Sequence, residues 1–170
     1  MTGPPDIIET QRLRLVPLQV ADAGELAAAL GDIRLYEWIG GQPPTEEQLR
    51  ARFQRLEAGG SADSAEEWLN WVVRQRDGGE AVGRVEATVF PVRAVAAVAW
   101  VIGTPWQRRG YGTEATRALT GWLLERGVPT LVADVHPGNV ASEIVARRAG
   151  FVVTDEVFDG ERRWHLHRGA

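Results

Sequence analysis

Residues 12–18 (RLRLVPL) alternate apolar with other side chains in the period of a half-buried strand. Asp22 then stands before an alanine-rich stretch running to about Gly31, which predicts a short capped helix. Gly40 to Pro44 breaks the pattern. Thr45, with Glu47 and Gln48 behind it, opens a second predicted helix, whose Leu49, Phe53 and Leu56 form one apolar stripe before Gly59 and Gly60 end it. Two strand-like runs, 68–76 and 81–90, flank Asp77-Gly78-Gly79, a turn chemistry that favours a hairpin, and a third run, 95–102, follows. Connections this short hold no crossover helix, so the first part of the sheet is expected to be antiparallel.

Gly103 to Arg109 reads as a loop. From Gly112 to Arg126 a helix is predicted with Ala115, Leu119, Trp122 and Leu123 on one face, and Gly127 and Pro129 stop it before a strand at 130–135. This order implies a parallel crossover. Asn139 caps a further short helix to Ala149, and 151–158 with 162–166 form a closing hairpin about Asp159-Gly160. No repeat, linker or low-complexity tract interrupts the pattern, so residues 1–170 are read as one domain.

Composition then removes whole classes of chemistry. The chain has 170 residues, 44% hydrophobic and 25% charged, the balance of a globular protein with a sizeable core. Cysteine is absent, which excludes disulfides, thiolate metal sites and a cysteine nucleophile. No metal is expected. A net charge of −4 with scattered basic residues lacks the electrostatic footprint of a nucleic-acid binder. The N-terminus MTGPPDIIETQRL carries no apolar run suited to a signal peptide or a membrane span, so a cytoplasmic location is expected.

The candidate chemistry centres on Gln107-Arg108-Arg109-Gly110-Tyr111-Gly112, between an apolar strand and a helix that begins with Thr113-Glu114-Ala115. Glycine lets the backbone turn without a Cβ, so successive N–H groups converge where the helix dipole is positive, a place suited to pyrophosphate. Two arginines ahead of the turn add charge that matches phosphate. The bare pattern of strand, glycine turn and helix also occurs as architecture alone. Gly110 to Ala115 further satisfies the G-x-G-x-x-A dinucleotide fingerprint, with Asp134 at a suitable distance, which leaves a nicotinamide-binding oxidoreductase as an alternative. Against it stand the seven-residue loop before the glycines and the 36 residues left after Asp134, too few for a doubly wound sheet.

With these motifs the chain resembles the GNAT N-acetyltransferase superfamily, whose signature Q/R-x-x-G-x-G/A follows a strand and precedes a helix; Gln107 to Gly112 matches every defined position. The opening Glu9 to Leu15, Asn139-Val140-Ala141-Ser142 and Ala149-Gly150-Phe151 look most like the ribosomal-protein alanine acetyltransferase branch (RimJ/RimL-like). The resemblance spans nearly the whole chain. It implies an α/β (α+β) fold: a mixed, mostly antiparallel central sheet of six to seven strands, about four helices on its two faces, and a splay between the fourth strand (95–102) and the fifth (130–135). By the same resemblance acetyl-CoA is the co-substrate and an amine the acceptor, with no nucleic-acid or membrane partner, in a monomer or homodimer. The backbone of Trp100, Val101 and Ile102 would pair with the pantetheine arm. Amides from Arg108 to Thr113 would hold the pyrophosphate, and Asn139 would meet the arm from the other side. An amide near Ile102 could stabilise an oxyanion.

Without cysteine, direct transfer in a ternary complex is the expected route. Ser142 matches a serine that serves the thiolate in the ribosomal branch, with a helix-terminal serine bonded to backbone as the alternative. The position where many relatives carry a tyrosine is Ala146 here. For the base, Glu86, Asp134 and His136 are the candidates: Glu86 would be structural if paired with Arg84, and Asp134 reads as a polar contact. Trp38, Glu37, Glu46, Glu47, Trp68 and Trp106 could form a pocket for a cationic acceptor. A non-catalytic acyl-CoA-binding module is a further alternative.

Overall fold

The computed structural model describes residues 5–167; the first four residues of the N-terminal reading lie outside the described residues, as do 168–170. The described residues form one sheet of eight strands: β1 Ile8–Glu9, β2 Leu13–Pro17, β3 Glu67–Gln75, β4 Ala81–Phe90, β5 Val95–Ile102, β6 Thr130–Val135, β7 Val152–Phe158 and β8 Glu161–His167. Their spatial order is β1-β2-β3-β4-β5-β6-β8-β7. Five α-helices accompany it: α1 Ala23–Ala29, α2 Tyr36–Ile39, α3 Glu46–Leu56, α4 Tyr111–Glu125 and α5 Val140–Arg148. The sequence pattern missed β1 and α2 because two and four residues are too short to display either period.

Alternation along the strands sends neighbouring side chains to opposite faces. On one face, Val85 and Ala87 of β4 and Leu131, Ala133 and Val135 of β6 meet Ala115, Leu119 and Leu123 of α4 in the larger core. On the other, Val72 and Ala81 pack with Leu26 of α1 and Leu49 and Phe53 of α3. Thr45 opens α3 with a reciprocal capping box: its Oγ1 accepts from the Gln48 amide at 3.2 Å, and Gln48 Oε1 accepts from the Thr45 amide at 2.9 Å. Asp22 does not cap α1 as expected. Its carboxylate accepts from the Gln19 amide and pairs with Arg74, each at 2.8 Å, so it pins the turn before α1 onto β3 instead.

Strands β1 to β5 form an antiparallel meander, and β6 joins β5 in parallel after the α4 crossover. That parallel ladder is short. It runs only from Val95 opposite Thr130 to Ala97 opposite Val132, whereas β6 remains paired with β8 along its whole length. The expected splay is therefore present, and the β6-facing edge of β5 beyond Ala97 has no strand partner. No helix among the described residues is long and apolar enough to cross a membrane.

Candidate active site

The turn before α4 leaves a run of backbone donors open. A single 3-10 turn at Thr104–Trp106 leads into it, and Gln107 Nε2 donates to the Ile102 carbonyl at 3.0 Å, tying the loop back to the end of β5. Arg108 and Gly110 both adopt left-handed backbone, with φ of 64° and 81°. The first bond of the helix runs from the Glu114 amide to the Gly110 carbonyl, and no backbone N–H from Arg108 to Thr113 donates to any acceptor among the described residues. A run of orphan donors at the positive end of a helix is an anion site.

Glu114 fixes this turn from behind. Its carboxylate accepts from the Thr10 hydroxyl at 2.7 Å, the Arg12 amide at 2.8 Å and Arg12 Nε at 2.7 Å, while Arg12 Nη1 donates to the Arg109 carbonyl at 2.9 Å. Burial pushes the Glu114 carboxyl up, but these donors outweigh it and hold its pKa below the usual value.

A cleft of about 460 Å³ extends from the turn. Gln107, Arg108, Gly110, Tyr111, Gly112 and Thr113 line one end, Trp100, Val101 and Ile102 line the open edge of β5, and Asn139 and Ser142 face them from the start of α5. Of the residues expected around the cofactor, Arg109 stands apart: it is exposed and outside the cleft lining, and its carbonyl serves Arg12. Asn139 Oδ1 accepts from the Ser142 amide at 3.1 Å, so the helix cap is the asparagine. The Ser142 hydroxyl hydrogen-bonds nothing among the described residues and faces the cleft. Ala146 is fully buried in the core.

A second cavity, of about 290 Å³, adjoins the first and shares Trp38, Trp100, Val101, Asn139 and Ser142 with it. Its polar groups come from alternate positions on one face of the sheet: Arg84 and Glu86 on β4, Asp134 and then His136 at the end of β6, and Glu161 on β8. Three of the expected polar residues are thus brought together, but each is engaged. Glu86 Oε2 lies 2.8 Å from Arg84 Nη1 and 3.8 Å from Arg52, the structural pairing that the sequence left open. Asp134 takes a bidentate pair from Arg163, both bonds 2.8 Å. His136 Nδ1 accepts from the Gly138 amide at 3.0 Å, so the neutral ring carries its proton on Nε2 and offers the cavity a donor rather than a basic lone pair. Its ring packs 5.0 Å from Trp38, which also lies so close to Gly138 that a Cβ there would collide with the indole.

Glu161 is the residue that sequence reasoning missed. It has no hydrogen-bond or ion-pair partner among the described residues. Burial, with the nearby Asp134 charge adding to it and His136 opposing it, holds its pKa above the usual value. The available signal was the spacing Glu161-x-Arg163 after the Asp159-Gly160 turn, which puts Glu161 on the face of the arginine that Asp134 engages.

The expected acceptor cluster does not assemble. Trp38 lines both cavities and Trp106 only the larger one; Trp68 lies beside α3 and donates to Glu66; Glu37, Glu46 and Glu47 are exposed, with Glu46 paired to Arg50. Residues spaced for helix faces were read as converging, whereas the helices carry these acids to solvent. Among the described residues no group of side chains is arranged to hold a metal ion. The dinucleotide alternative fails on topology, because β5 and β6 form the one parallel pair of the sheet, not a doubly wound set.

No curated protein is a significant match to the sequence. A model of the acetyltransferase (GNAT) domain matches residues 12–152. Among solved structures, a protein named as a ribosomal-protein-serine acetyltransferase from Vibrio cholerae is similar at 25% identity and a TM-score of 0.76, over 98% of this chain and 100% of that one. A ribosomal L7/L12 alpha-N-protein acetyltransferase in complex with coenzyme A shares the fold at 17% identity and a TM-score of 0.79, over 95% and 98% of the two chains. A ribosomal-protein-S5-alanine acetyltransferase from Vibrio fischeri does so at 17% identity and 0.76, over 96% and 97%. With the family model covering the parted strands and the phosphate-type turn, the chain belongs to the GNAT acetyltransferase family, as an N-acetyltransferase similar to the ribosomal-protein branch.

Proposed function

We propose that this chain, acting as a single domain, transfers the acetyl group of acetyl-CoA to the amine of a small molecule or a protein N-terminus, by direct attack in a ternary complex. The observation that carries this reading is the set of unmatched amides from Arg108 to Thr113 opening onto the unpaired edge of β5. Linked phosphates supply the acceptors those amides lack, and an extended arm bearing amides suits a strand edge with no neighbour. When bound, acetyl-CoA supplies a thioester carbonyl and a thiol leaving group. The chain's own residues supply the rest.

The smaller cavity holds the acceptor, entering from the α2 side and meeting the cofactor cleft at Trp100, Asn139 and Ser142. Glu161 receives the surplus proton of the amine, since Glu86 and Asp134 are committed to arginines and His136 presents N–H. Ser142 donates to the departing sulfur with the hydroxyl that the Asn139 cap leaves unused. Proton exchange with solvent returns both groups to their starting state. The amine attacks the thioester directly, so no acyl-enzyme forms, and no cysteine is present to carry the acetyl group.

Thiol release from acetyl-CoA, measured across a panel of amines with intact-mass analysis of the protein, tests this. Release that depends on an acceptor, with no acetylated protein in its absence, is expected. Tight coenzyme A binding without release over the whole panel would reduce the chain to a binding module.

A further inference from the structure

Arg84 lies in the wall of the acceptor cavity with a side chain only 16% exposed, and its charge is not explained by fold stability. The Glu86 carboxylate is the one anion near it, and it sits between two cations, Arg84 at 2.8 Å and Arg52 at 3.8 Å. Glu86 therefore divides its charge between Arg84 in the cavity wall and Arg52 outside the lining, which leaves Arg84 only partly neutralised. Arg84 Nη1 is buried, and the Glu86 carboxylate at 2.8 Å, which Arg52 also approaches, is its one partner, so the rest of the guanidinium fork is left without an acceptor. No other acceptor among the described residues meets its guanidinium. Buried donors left without acceptors are costly, and in a cavity wall the ordinary explanation is a ligand that completes them.

The opposite wall has the reverse character. Asp134 and Arg163 neutralise each other, which leaves the unpaired Glu161 as the excess charge on the β8 side. Positive on one side, negative on the other, the cavity matches a small zwitterion better than a polycation. The aromatic wall of Trp38 and Trp100 and the volume of about 290 Å³ suit a molecule of amino-acid size.

We infer that the acceptor is an amine that itself carries a carboxylate, of amino-acid size, with Arg84 gripping the carboxylate while the amine lies toward Glu161 and Ser142. The inference rests on the acetyl-transfer reading and narrows its acceptor. Guanidinium and carboxylate match fork to fork, which fixes the amine's direction as well as its affinity. Arg84 is then a specificity residue that touches the acceptor and takes no part in proton transfer.

The test is thiol release from acetyl-CoA with each of the common L-amino acids beside its carboxamide, and with spermidine as the polycation. The wild-type protein should turn over at least one amino acid with kcat/KM about tenfold or more above its carboxamide, the scale of a hydrogen bond to a charged group. Arg84→Gln should raise KM for that acid by a similar factor and more than it raises KM for the carboxamide, collapsing the acid-to-amide ratio; Arg84→Lys should restore part of the preference. The wild-type acid-to-amide ratio needs no variant, so it decides the matter even where Arg84→Gln does not fold. Equal or better use of carboxamides or spermidine would overturn this inference while leaving acetyl transfer intact. Release with none of the acceptors, acidic, neutral or polycationic, would overturn both.

Discussion

Glu161 and Ser142 show how much an unspent polar atom says about chemistry. A base must have its lone pairs free, and Glu161 is the carboxylate of the acceptor cavity without an arginine. Its raised pKa sets the direction of a pH effect: the group must be ionised to accept a proton, so kcat/KM should fall as pH drops through a value above the usual carboxylate range. Glu161→Gln should lower kcat/KM by about a hundredfold, the scale of general-base catalysis, and remove that acid limb from the profile. The sign for stability is opposite. A carboxyl whose pKa is raised on folding binds its proton more tightly in the native state, so its contribution is fully present below the unfolded pKa and is lost as pH rises through the folded one. Glu161→Gln should therefore melt no lower than wild type at pH 8 by calorimetry. Ser142→Ala should reduce kcat about tenfold or more, whereas Glu86→Gln should chiefly unbalance the Arg84 and Arg52 charges and change the acceptor KM more than kcat. From the sequence Asp134 reads as a polar contact, while Glu86 and His136 stay open; what decides each is who already holds its lone pairs, Arg84 and Arg52 for Glu86, Arg163 for Asp134 and the Gly138 amide for His136.

At the scale of elements, the shape of the glycine turn was legible, because a local motif specifies backbone. Gly110 sits at φ 81° at the cap of α4, where a Cβ is strained. Gly110→Ala should cost about 1 kcal/mol in denaturant melts and weaken coenzyme A binding more than it weakens folding, since the donors above it would turn away. The parting of β5 from β6 was legible only through resemblance. Nothing in the alternation of 95–102 or 130–135 marks Ala97 and Val132 as the last paired residues. The acceptor cluster was the clearest failure: Glu37, Glu46 and Glu47 have the charge expected of a cation pocket, but their helices turn it outward. The pattern Arg84-x-Glu86, Asp134-x-His136 and Glu161-x-Arg163 was visible in the strands, yet only the β4–β5–β6–β8 order brings the first two pairs and Glu161 to one cavity.

For the molecule as a whole, coenzyme A bound as proposed would bridge elements that the sheet leaves apart, so binding should stabilise the entire fold. At about a hundred times its Kd the ligand adds about 2.7 kcal/mol, a rise in Tm of several degrees by thermal shift. NAD at the same concentration should give none. The grip on the anion also draws on the far end of the chain. Thr10 and Arg12, about a hundred residues earlier in the sequence, clamp Glu114 and the Arg109 carbonyl. Shortened forms that begin beyond Arg12 would keep the signature motif complete and still lose its shape, so the turn between β1 and β2 is a splint for the turn before α4, and a minimal catalytic fragment cannot be cut from the motif outward.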